Sequence, residues 1–93
     1  MRFSFAPILA GLPLPEGMRR PRRAVTDTTI HEGTPMFRVV LHGPSDDPTC
    51  FGLGLTPEAA FRASMLGLFH HVSKCAGLDT TAAREYVARL TLN

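Results

Sequence analysis

The sequence has no tryptophan, one tyrosine, one lysine and two cysteines in 93 residues. Two thiols cannot build a disulfide framework, so a hydrophobic core has to hold the fold, and the expected setting is a reducing, cytoplasmic one. No apolar run reaches the roughly 20 residues that a membrane span needs. The nearest stretch, residues 3–14, is interrupted by Pro7 and Pro13 and followed by Pro15. A single positive charge, Arg2, precedes it and no small-residue cleavage site follows, so a secretory leader is not expected. An excess of one charge is also missing. Ten basic residues face eight acidic ones, a net charge of +2 that only weakly favours anionic partners.

The chemistry-bearing motifs are sparse. His42, Cys50, His70, His71 and Cys75 are metal-ligand types, and His71 and Cys75 are four apart on one helix face. However, no C-x-x-C or H-x-x-x-H pair with zinc-finger spacing exists. Cys50 or Cys75 with a histidine, or Ser64 or Ser73 with His70 or His71, could form a nucleophile–base pair. No nucleophile elbow accompanies them, and the acidic pair Asp46-Asp47 reads as turn chemistry. Gly52-Leu53-Gly54 lacks the further glycines and the lysine of a phosphate loop, and Glu58 puts negative charge where an anion would sit. The expectation is a non-enzymatic chain with no cofactor and no bound metal.

What is present is an apolar fraction of 44%, enough for a packed core and too high for a disordered chain. The pattern predicts a single domain over 1–93 with a Pro/Arg-rich arm at 7–23. Residues 1–6 alternate as a strand would, with Phe3 and Phe5 on one face. The β-branched stretch 24–30 reads as an edge strand. The hairpin 36–42/50–55 follows, joined by the turn-rich loop 43–49. In its first strand Phe37, Val39 and Leu41 oppose Arg38, Val40 and His42. In its second, Phe51, Leu53 and Leu55 oppose Cys50, Gly52 and Gly54. Two glycines on one face leave it flat, open to something lying close against the backbone.

Thr56-Pro57-Glu58 starts a helix: a cap, a proline suited to the first position, and an acid facing the dipole. It runs over 57–76 to Gly77 and carries an apolar stripe of Phe61, Met65, Leu68, Val72 and Cys75, widened by Phe69 and Ala76. Its far side holds Ala59, Ala63, Leu66, Gly67 and His70, small enough to pack a partner or a second copy as a homodimer. A short helix over 80–90, capped by Asp79, presents Ala83, Tyr86, Val87 and Leu90. The fold class is α+β: a small antiparallel sheet of the hairpin plus an N-terminal strand, packed against one long helix.

Residues 36–72 (strand, turn, strand ending in Gly52-Leu53-Gly54, Ala-rich helix) resemble the second half of a double-stranded RNA-binding domain. That resemblance implies phosphate contact from lysines at the helix start, where this chain has Thr56, Pro57 and Glu58, and it leaves the family's first helix without a counterpart. In size and layout the chain is similar to small phage-encoded inhibitors of the anti-CRISPR kind. That similarity implies an inhibitor that binds a protein or nucleoprotein target. The residues expected to touch the partner are Arg19, Arg20, Arg22 and Arg23, with Arg38 on the hairpin; arginine suits both phosphate and acidic protein surfaces. The other reading is a nucleic-acid-binding module using the Arg19–Arg23 cluster.

Overall fold

The structure, a computed structural model, describes residues 5–43 and 48–90. The elements in chain order are α1 (Ala6–Ala10), β1 (Arg23–His31), β2 (Thr34–His42), β3 (Pro48–Gly54), α2 (Pro57–Ala76) and α3 (Thr81–Arg89). The three strands form one antiparallel sheet in the order β1-β2-β3, and α2 lies across β3 and β2. The α+β layout is the one read from the sequence.

The third strand among the described residues comes from Arg23–His31. Residues 1–4 lie outside the described residues, and Phe5 leads directly into α1. Glu32 and Gly33 join β1 to β2 with φ of 50° and 81°. A two-residue loop with both φ values positive is the hairpin geometry that matches the twist of the flanking strands. The Asp46-Asp47 turn lies outside the described residues.

The termini of α2 form as their chemistry dictates. The Thr56 hydroxyl accepts from the Ala59 N–H at 3.1 Å, Pro57 opens the helix, and Gly77 closes it in the left-handed region at φ 68°. Thr80, not Asp79, is the N-cap of α3 and makes no side-chain cap bond; Asp79 lies one residue earlier, and its carboxylate accepts from the Thr81 N–H at 3.0 Å.

The glycine face of β3 meets α2. A Cβ on Gly52 would sit 2.2 Å from the Ser64 nitrogen and 2.5 Å from the Ala60 oxygen; one on Gly54 would sit 2.5 Å from the Ala60 nitrogen. Real side-chain carbons do not come this close to backbone, so only glycine lets this helix settle at this depth. The flat face is therefore filled by the chain itself. The small residues of α2 serve the same contact: backbone atoms of Ala59 and Ala63 lie against the β3 glycines, and a Cβ on Gly67 would meet the Cys50 sulfur at 3.3 Å.

This depth turns the buried side of α2. Ala60, Phe61, Ser64, Met65 and Phe69 are buried. Leu68 and Val72, expected in the core stripe, are half-buried, and Cys75 is exposed. Burial in α2 ends at Phe69, which leaves the last turn in solvent. Phe5 stacks on Phe61 with ring centroids 4.1 Å apart, and Val39, Leu41, Leu9, Leu12, Ala83 and Val87 complete the core.

The Pro/Arg-rich segment is packed, not loose. Leu9, Leu12 and Pro21 are buried, and Leu14 and Met18 rest against the core. Tyr86 of α3 reaches over Gly11, where a Cβ would meet its hydroxyl at 3.0 Å. Arg62 of α2 donates to the Val87 and Leu90 carbonyls and so satisfies the open C-terminal end of α3.

Candidate functional site

The strand register places two sets of side chains on opposite faces. Phe37, Val39 and Leu41 of β2 sit opposite Gly54, Gly52 and Cys50 of β3, under α2. The other face has no described element packed over it. Across its middle, Val25 of β1, Val40 of β2 and Phe51 of β3 lie directly opposite one another. Phe51 is 61% exposed and Val25 39% exposed. In the next row Asp27, Arg38 and Leu53 are opposite, and exposed Leu55 lies just beyond the end of β3. Phe51 and Val25 thus leave apolar surface in water on this face, while Val40 between them is half-buried.

One ion pair crosses the face. Arg38 Nε and Nη2 donate to the two carboxylate oxygens of Asp27 at 3.0 and 2.7 Å. The fork geometry holds the Asp27 carboxyl below its ordinary range and raises Arg38. Beside it, Arg38, Val40, Pro48, Thr49, Cys50 and Phe51 line a shallow cleft of about 330 Å³. The face thus combines apolar contact area with a charge pair that is already neutralised.

The structure separates the expected contact arginines. Arg20, itself exposed, donates to the Leu9 carbonyl at 2.6 Å, near the end of α1. Arg19 and Arg22 have exposed side chains, while the Arg22 N–H donates to the His42 carbonyl at 2.7 Å and prolongs the β1–β2 ladder. Arg23 sits opposite His42, and Arg38 opposite Asp27; the alternation of β1 puts Arg23 and Arg38 on the same open face, two rows apart. The geometry therefore puts Arg23 and Arg38 on one face two rows apart, leaves Arg19 and Arg22 exposed, and ties Arg20 to the end of α1.

The other candidate groups are dispersed. The buried Ser64 hydroxyl donates to the Phe61 carbonyl at 2.6 Å, and Ser73 shares a hydrogen bond with Thr80 at 2.8 Å, so neither serine meets a histidine. Cys50 is half-buried between β3 and α2, where its thiol donates to the Ser64 carbonyl at 3.4 Å and burial pushes its pKa up. His71 Nδ1 and Cys75 Sγ are 3.6 Å apart on the exposed last turns of α2. Among the described residues no three of the His, Cys, Asp and Glu side chains converge on a common point, and no helix is long and apolar enough to cross a membrane.

The apolar row was missed in the sequence because Val25 and Phe51 look like ordinary strand residues. The signal was present in Gly52 and Gly54. If a helix takes the glycine face, Phe51, Leu53 and Leu55 have to point away from it. No protein-family model, no curated protein and no solved structure matches this chain.

Proposed function

We propose that this chain is a non-enzymatic interaction protein that holds a protein or nucleoprotein target on the open face of its sheet. One observation carries the reading: the Val25–Val40–Phe51 row is solvent-facing although the same chain buries smaller apolar groups. Docked, the row loses its contact with water, and the Asp27–Arg38 pair goes in as a neutral unit. Arg23 stands at the end of that surface, with Arg19 and Arg22 exposed on the segment leading into it, and such charge acts on association rate and selectivity. The proposed biological role is inhibition, of the anti-CRISPR kind encoded by mobile elements, and it rests on the size and layout described above.

The nucleic-acid reading has weaker support. Arg20 is committed to Leu9, Arg38 to Asp27, and no aromatic residue is interleaved in the arginine cluster for base stacking. Ala59, Ala63, Leu66 and Gly67, the face expected for self-association, are all exposed.

The test is capture from native-host extract with immobilised wild-type protein, Phe51→Ser and Leu66→Ser, followed by mass spectrometry. A partner retained by wild type and Leu66→Ser but lost by Phe51→Ser supports the face. Equal retention by Phe51→Ser overturns it. A gel shift that weakens steeply with salt and disappears in the Arg19→Ala/Arg22→Ala variant would move the function to nucleic acid.

A further inference from the structure

The free edge of β1 goes beyond that reading, since it is a different surface and needs no foreign target. β1 is nine residues long and forms a sheet edge, because among the described residues it pairs only with β2. Seven of those nine residues are exposed. Its register with β2 is unbroken from Arg23 to His31. Natural sheets blunt such an edge with proline, lysine, a bulge or an inward-pointing charge. β1 contains no proline and no lysine, and its one acid, Asp27, is tied across the face to Arg38. The opposite edge differs: β3 starts at Pro48, and its register with β2 slips between Leu41 and His42. One edge is guarded and the other is open.

We infer that β1 pairs antiparallel with β1 of a second copy of this chain, joining two three-stranded sheets into one six-stranded sheet. The register follows from charge. A two-fold axis perpendicular to the sheet has to pass through a residue, so that opposite side chains share a face. Centred on Asp27, it would set two carboxylates opposite each other. Centred on Thr28, it sets Asp27 opposite the partner's Thr29, and Thr26 opposite the partner's Ile30.

Ile30 is 72% exposed in the single chain, and this pairing gives it a neighbour. The same register places Glu32 of each copy opposite the partner's Ala24, diagonal to the partner's Arg22. Diagonal neighbours across strands are roughly 7–8 Å apart, within reach of long side chains. Glu32 and Arg22 both have exposed side chains. The two-fold repeats this contact at both ends of the seam. The acid at the hairpin turn and the arginine just before β1 thereby become complementary charges across the seam.

Sedimentation velocity over a concentration series tests the inference on the full chain, with circular dichroism to verify folding. Wild type should show a concentration-dependent dimer, and the amides of β1 should gain hydrogen-exchange protection as it forms. Thr28→Lys sets two lysines opposite each other at the axis and should raise the dissociation constant about tenfold or more. Because Thr28 is exposed, the variant should stay folded; Thr26→Lys is the second probe if it does not. Glu32→Arg should weaken the dimer, and Arg22→Glu with Glu32→Arg should restore most of the affinity. A wild-type chain that stays monomeric throughout, or a dimer untouched by both lysine variants but dissociated by Leu66→Ser or Phe51→Ser, overturns the inference. Loss of the dimer in Thr28→Lys with target capture intact separates this seam from the open face.

Discussion

Gly52→Ala tests the central contact of the fold. The added methyl would lie 2.2 Å from the Ser64 nitrogen, 2.5 Å from the Ala60 oxygen and 2.8 Å from the Ala63 carbonyl carbon. All three are backbone atoms in the middle of α2, so no side chain can swing aside. To reach ordinary contact the helix would have to withdraw by about 1 Å, and overpacking of a rigid core costs about 1–3 kcal/mol or more, with the upper end expected here. A domain of this size loses roughly 4–8 °C of melting temperature per kcal/mol, so a drop of about 12 °C or more is expected.

Gly33→Ala is the control. Gly33 has positive φ and nothing within 4 Å of a Cβ, so only the left-handed strain, about 1 kcal/mol, should register. Phe51→Ser, on the open face, should stay within about 0.5 kcal/mol of wild type. Thermal melts by circular dichroism decide the matter. If Gly52→Ala loses no more than Gly33→Ala while Phe51→Ser unfolds the protein, β3 presents its other face to α2 and the argument for an open apolar row collapses.

Three further outcomes follow from the same contacts. Phe61→Ala removes the buried ring stacked on Phe5 and should cost about 3–5 kcal/mol in urea titration, whereas His70→Ala, on the exposed side of α2, should cost little. Arg62→Ala leaves the last carbonyls of α3 without their donor; it should cost about 1–3 kcal/mol and speed hydrogen exchange across residues 81–89 before the rest of the chain, and uniform exchange would refute the staple. Asp27 is held below the ordinary carboxylate range by Arg38, so its contribution is present at neutral pH and is lost as pH falls through its depressed value. The stability difference between wild type and Asp27→Asn should therefore shrink on acidification, and a difference that grows toward low pH would contradict the pairing.

Much of the secondary structure was legible in the order of residues. Thr56, Pro57 and Gly77 fix the ends of α2 because caps, a proline at the first helical position and a left-handed glycine act within a few residues of chain. The alternation in 36–42 and the β-branched run at 24–30 gave strands for the same local reason, whereas the cap of α3 falls at Thr80, one residue past the expected Asp79. The N-terminal alternation falls mainly on residues outside the described ones, and only its end is seen. Phe5 is buried by stacking on Phe61, a contact 56 positions away that no local pattern encodes, and Ala6–Ala10 turns helical behind it.

The candidate site was almost wholly decided by tertiary contacts. Sequence gathered five arginines as one contact set, but only folding could divide them, because Arg20 finds the Leu9 carbonyl and Arg38 finds Asp27 eleven residues away in each case. Likewise, the apolar period of α2 named a stripe through Cys75, while its rotation was decided by how deeply the helix could sink onto Gly52 and Gly54. Local spacing determines which faces a helix or strand possesses. Which face turns inward depends on the closest approach two backbones can make, and here the absence of two side chains on β3 let α2 occupy that side and left Phe51 in water.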